Sequence, residues 1–84
     1  MGGLRSQSLM LVENDPYFIY LLKLYAEQSG FSVISTSSGQ QALTLAKREQ
    51  PNVIVLESDL PEMDGDAVLR SLRSDPLTQA IPVV

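Results

Sequence analysis

Short apolar runs alternate with longer stretches of helical spacing along this chain. Leu9-Met10-Leu11-Val12 is continuous and apolar, and it stops abruptly at Glu13-Asn14-Asp15. Such a run predicts a strand buried on both faces, as in parallel sheets. Asp15-Pro16 then opens a helix: Asp supplies a side-chain acceptor at the N-cap, and Pro fills a first position that has no use for an N–H. The spacing predicts a helix from about Pro16 to Ser29, closed by Gly30, with Phe18, Leu21, Leu22 and Tyr25 as its inward stripe.

Phe31-Ser32-Val33-Ile34-Ser35-Thr36 predicts a second strand, and its polar residues place it near a sheet edge. Ser38 with Gln41 three residues on has the form of a capping box. The helix it opens carries Ala42, Leu43, Leu45 and Ala46 and ends at Gln50, before Pro51. Val53-Ile54-Val55-Leu56 is a third buried run, again ending in an acid, Glu57. After the loop from Ser58 to Gly65, a third helix is expected over roughly Asp66 to Ser74, with Val68, Leu69 and Leu72 inward. Asp75-Pro76 breaks it, and Ile81-Pro82-Val83-Val84 begins a fourth apolar run. The order βαβαβαβ implies parallel strands joined by right-handed crossovers.

At 84 residues the chain holds one small domain. Residues 1–7 are expected to form a flexible leader and 8–84 the domain. An apolar last strand leaves a bare edge and an uncovered sheet face, so the expectation is a domain cut short, or one completed by another chain. The opening Met-Gly-Gly-Leu-Arg-Ser fits a loose myristoylation pattern at Gly2 and Ser6, but a plain leader is the preferred reading. No apolar run reaches the ~20 residues of a membrane helix, and no secretory signal is visible.

Composition narrows the chemistry. With neither Cys nor His, disulfides, thiolate zinc sites and Cys-His catalysis are excluded. Absence of Cys also fits a reducing cytoplasm. The net charge is -4, and the six Lys and Arg are scattered, so this segment offers no basic stripe for nucleic acid. No Gly-rich phosphate loop is present. Glu62-Met63-Asp64-Gly65 has the look of a calcium loop, but Leu60 stands at its first ligand position and no Glu at its twelfth.

Ligands of parallel α/β sheets bind outside the carboxyl ends of the strands. There the first strand ends in Glu13-Asn14-Asp15 and the third in Glu57, with the Asp59 backbone close by. Oxygen donors of this kind suit Mg²⁺. A purely structural reading stands beside it: Asp15 as helix cap, Asn14 as turn residue, Glu13 as the point where strand meets water.

The third-strand loop, Glu57-Ser58-Asp59-Leu60-Pro61-Glu62-Met63-Asp64-Gly65, sits beside Leu-Val-Glu-Asn-Asp-Pro at 11–16. Together they resemble response-regulator receiver domains, in which the third strand ends in a phosphoacceptor aspartate ahead of Asp-x-x-x-Pro-x-Met-Asp-Gly. Pro51-Asn52, Asp75-Pro76 and the run at 81–84 fit as well, so the likeness covers nearly everything after residue 8. It implies a flavodoxin-like (CheY-like) doubly wound parallel α/β sheet and a role in phosphorelay signalling. Pro61, Asp64 and Gly65 are the loop and turn residues of that motif.

Three departures qualify the likeness. Glu57 stands at the phosphoacceptor position, one methylene longer than aspartate, so its carboxylate overshoots the in-line geometry of phosphoryl transfer. It also holds a permanent negative charge where the phosphoryl group would sit, a partial mimic of the active state. Asn14 replaces the acid that the family uses toward Mg²⁺, offering an amide oxygen without charge, so only weak Mg²⁺ binding through Glu13, Asn14 and Asp59 is expected. The hydroxyl residue after the family's fourth strand and the lysine after its fifth have no counterpart here. Asp59 is an alternative acceptor, since a shift of two keeps the same strand face, but it breaks the spacing to Pro61.

Some of Tyr17, Ile19 and Tyr20 should face water, either as scattered surface residues or as a docking surface. The resemblance implies that receivers meet a histidine kinase or phosphotransfer protein through this helix; a downstream output domain and a second copy are the other candidate partners. The reading is an atypical receiver that is not an enzyme, acting independently of phosphorylation. Alternatives are an ordinary receiver phosphorylated on Asp59 or Glu57, and an α/β fragment with a structural role in a swapped or engineered assembly.

Overall fold

The computed structural model describes residues 7–60 and 63–84. The leader expectation over residues 1–6, with its Gly2 and Ser6 pattern, and the turn assigned to Pro61 lie outside the described residues. Among the described residues, strands and helices alternate as β1 (Gln7–Val12), α1 (Pro16–Gln28), β2 (Phe31–Thr36), α2 (Gly39–Glu49), β3 (Val53–Leu56) and α3 (Gly65–Ser74). The strands pair in parallel in the order β2-β1-β3. Strand β1 starts at Gln7, so the ordered sheet reaches one residue into the segment expected to be leader. The fourth apolar run appears beside β3 as one parallel bridge, Ile54 to Val83, held by Val84 N–H donating to the Ile54 carbonyl at 2.8 Å.

Each face of the sheet has its own core, as the period of two along a strand requires. Met10, Val12 and Ile54 face α2 and α3 and pack with Ala42, Leu45, Ala46, Val68 and Leu72. Leu9 and Leu11 face the other way and pack with Ala26 of α1, joined by Ile19, Leu22, Val33, Val53 and Val55. The central strand is thus buried on both sides, while β2 takes the edge that its serines predict.

The inward stripe of α1 differs from the one expected. Ile19, Leu22 and Ala26 face the sheet, whereas Phe18 is 43% and Tyr25 65% exposed. An apolar helix gives no polar face from which to read its orientation, so stripes 100° apart are equally plausible in the sequence. The same rotation removes Ile19 from the surface assigned to it with Tyr17 and Tyr20. None of the described helices is long and apolar enough to cross a membrane.

Local chemistry explains the helix ends. Asp15 caps α1, its carboxylate accepting the Tyr17 N–H at 3.0 Å. Ser38 accepts the Gln41 N–H at 3.2 Å, but the return half of a capping box is missing. Gln41 instead accepts from the Thr36 hydroxyl at 2.6 Å, and Thr36 accepts the Ser38 N–H. Helix α3 begins one residue earlier than expected, capped by Asp64. The segment after α3 is pinned by Arg73, which donates to the Gln79 and Ile81 carbonyls, and by the buried Thr78 hydroxyl, which donates to the Leu72 carbonyl at 2.7 Å.

Gly65 is where α3 presses on the β3 loop. A Cβ there would lie 2.6 Å from the Ser58 Cα and 2.7 Å from the Glu57 carbonyl oxygen, both backbone atoms that cannot swing aside. Gly65→Ala is expected to lower unfolding free energy by about 2 kcal/mol. Gly39→Ala, whose added methyl meets the side chains of Val68 and Met63, should cost less. Urea denaturation of both variants checks the order.

Candidate functional site

The register of the sheet decides which acids meet. Val12 lies opposite Thr36 on one side and Leu56 on the other. One residue further, Glu13 N–H donates to the Thr36 carbonyl at 3.0 Å and Glu57 N–H to the Val12 carbonyl at 2.9 Å. Glu13 and Glu57 therefore leave the sheet at adjacent points of its carboxyl edge. By strand alternation they continue the faces of Leu11 and Val55, on the side of α1.

There they line a cleft of about 330 Å³ with Asp15, Phe18, Val55 and Leu56. A larger concavity of about 550 Å³ runs along the outer side of α3, lined by Ala67, Arg70, Ser71, Arg73 and Ser74. It is shallower, carries no acid and lies away from the strand ends, so the smaller cleft is the candidate site.

Inside the cleft Glu13 is buried, and its carboxylate is already engaged. One oxygen, Oε2, accepts the N–H of Asn14 at 3.2 Å and of Asp15 at 3.1 Å. The acid that ends the first strand thus braces the turn into α1 while facing the site. Asp15 does two jobs also, capping α1 and lining the cleft. Glu57 is half-buried.

Of the residues expected at the site, Glu13 and Glu57 are brought together. Asn14 and Asp59 are exposed and do not line the cleft. Asp64 and Gly65 stand at the N-terminus of α3, where they hold the loop rather than the cleft. Asp15, read both as one of the acids at this edge and as helix cap, lines the cleft, and so does Phe18, which was read as core; a helix turned so that Ile19 faces the sheet would have shown Phe18 at its mouth.

No group of three Asp or Glu side chains placed to hold one ion occurs among the described residues. Nor is any buried side-chain oxygen or nitrogen among them left without a hydrogen-bond partner awaiting a cation. Asn14, expected as a ligand from the resemblance, is exposed and is not among the residues that line the cleft.

Comparison with known proteins places this geometry. The model of the response regulator receiver domain matches residues 9–84. The chain is 36% identical over 72 residues to the alkaline phosphatase synthesis transcriptional regulatory protein PhoP of Bacillus subtilis, covering 86% of this chain and 30% of PhoP. It is 35% identical over 79 residues to the polar-differentiation response regulator DivK of Brucella ovis, covering 94% of this chain and 64% of DivK. Among solved structures, the receiver domain of a sensor histidine kinase from Pseudomonas aeruginosa superposes with a TM-score of 0.89 at 25% identity, over 94% of this chain and 65% of that one. That receiver carries a magnesium ion coordinated in its active-site cleft. The chain therefore spans less than two thirds of the length of these relatives.

Glu13→Ala leaves the Asn14 and Asp15 N–H groups without their acceptor and is expected to lower stability by about 1–3 kcal/mol. Glu13→Gln keeps one side-chain oxygen and should lose less, as denaturant titration of the pair would show.

Proposed function

The chain belongs to the response-regulator receiver family of two-component signalling, and from that premise we propose that it works as a receiver whose output does not depend on aspartyl phosphorylation. The observation that carries this is Glu57 in the cleft at the end of β3, beside Glu13 and Asp15. Phosphoryl transfer is governed by positioning, and an extra methylene displaces the attacking oxygen by about an ångström from where an aspartate would hold it. Glu57 keeps one negative charge in the cleft at all times, so part of the field that a phosphoryl group would create is built in. That mimic supplies one charge and two oxygens, and is accordingly partial.

The cleft's weak donor set supports the same reading. Asn14 brings no charge, and the Glu13 carboxylate is occupied by backbone N–H groups. Mg²⁺ is expected to bind only weakly. The combined substitution Asn14→Asp with Glu57→Asp should raise its affinity by about tenfold, read by NMR titration with Mg²⁺ alone. An unchanged affinity would count against the assignment of Asn14 and Glu57 as the limiting positions.

In this role the domain does no turnover of its own and acts in the cytoplasm through protein partners. These are a histidine kinase or phosphotransfer protein on one side and an output domain on the other. Nucleic acid is not expected to bind this segment, which carries only six scattered Lys and Arg against ten Asp and Glu.

Intact mass spectrometry after incubation with Mg²⁺ and a small acyl phosphate tests the proposal, with an aspartate-bearing receiver labelled in parallel. No mass gain on this chain is the expected result. Gain of one phosphoryl group, lost in Glu57→Gln or in Asp59→Asn, would overturn it and identify the acceptor.

A further inference from the structure

Helix α2 ends on a strained residue. Among the described residues Gln50 is the one non-glycine with positive φ, at φ 49 and ψ 59. A Cβ makes this left-handed conformation costly, which is why helix ends usually place Gly there. What Gln50 brings instead is its carboxamide. Nε2 donates to the Ala46 carbonyl at 3.3 Å, the Lys47 carbonyl at 3.1 Å and the Leu77 carbonyl at 2.9 Å. Carbonyls only accept, so the amino end of the side chain must face them. Two of these carbonyls belong to the last turn of α2. The third lies 27 residues further along the chain, in the connection that follows α3.

We infer that Gln50 is a clasp that locks this connection, residues 75–80, onto the end of α2. The connection has no helix or strand of its own and is held by short-range bonds. The Asp75 carbonyl accepts the Thr78 and Gln79 N–H groups at 3.0 and 2.8 Å, and the Thr78 carbonyl accepts the Ile81 N–H at 3.0 Å. Arg73 and Thr78 tie it to α3, and Gln50 ties it to α2. Lys47, in the same turn of α2, adds a solvent-screened ion pair to Asp75 at 3.6 Å. The connection leads into the buried Ile81 and then to Val83, bridged to Ile54, so its position sets where the chain enters beside β3. Backbone strain at Gln50 is thus held by the bonds that it allows the side chain to make. Releasing the clasp lets 75–80 open as a unit while the sheet stays closed. Gln50 lies at the amino end of β3, opposite the cleft, so the clasp stands or falls separately from the role of Glu57.

Amide hydrogen exchange of the chain, followed by NMR, tests this. Gln50→Gly suits the left-handed backbone and lacks the carboxamide. In it, exchange at the Thr78, Gln79 and Ile81 amides is expected to quicken about fivefold, while the β1 amides from Leu9 to Val12 keep their rates. Gln50→Met keeps the strain and the side-chain length but cannot donate, and should quicken the same three amides more than those of β1. Unchanged rates at Thr78, Gln79 and Ile81 in Gln50→Gly would overturn the proposal, because the carboxamide would then hold nothing. A quickening in either variant that is no greater there than in β1 would also overturn it, making Gln50 an ordinary contributor to global stability.

Discussion

Backbone hydrogen bonding on both sides of β1 is the constraint from which the site follows. Because β1 pairs in parallel with β2 and β3 and its residues from Leu9 to Val12 are buried, its register cannot slip without turning each core side chain to the wrong face. That register places Val12 level with Thr36 and Leu56, and so makes Glu13 and Glu57 the next residues out on neighbouring strands. The acids of the cleft owe their meeting to the apolar residues behind them. Gly65 adds a second restraint, since only a residue without Cβ lets α3 approach the Glu57 and Ser58 backbone this closely.

Much of this was legible in the sequence because buried parallel strands read as unbroken apolar runs. Leu9–Val12 and Val53–Leu56 announced their strands, the following acids announced the carboxyl edge, and Asp15-Pro16 announced the start of α1. The motif around Asp64-Gly65 then pointed to Glu57, which lines the cleft. What was not legible was rotation. Helix α1 has so few polar residues that its facing depends on packing against Leu9 and Leu11, and Phe18, Ile19 and Tyr25 were consequently assigned to the wrong sides. The fate of the Glu13 carboxylate was equally hidden, because turning back onto the Asn14 and Asp15 N–H groups depends on the local chain path. Likewise Gln41 looked like half of a capping box, but the nearby Thr36 hydroxyl claimed its side-chain oxygen.

Function follows from what the cleft retains and what it has exchanged. The strand ends, the loop and the capped helices are those of a receiver, and the family assignment rests on nearly the whole length of the chain. Within that frame the charges are rearranged. Glu57 stands at the end of β3, Asn14 follows Glu13 after β1, and the buried Glu13 carboxylate accepts two backbone N–H groups. The proposal of a receiver whose output does not depend on aspartyl phosphorylation rests on that arrangement.

The most direct measurement is an amide NMR spectrum of the chain titrated with Mg²⁺ and then with beryllofluoride, a phosphoryl analogue. The account predicts that beryllofluoride, added at a fixed Mg²⁺ concentration, leaves the amides of Glu13, Asp15, Phe18 and Glu57 where Mg²⁺ alone puts them. Further saturable shifts of those amides on adding beryllofluoride, spreading from the cleft into α3, would show a working phosphoryl site and contradict it.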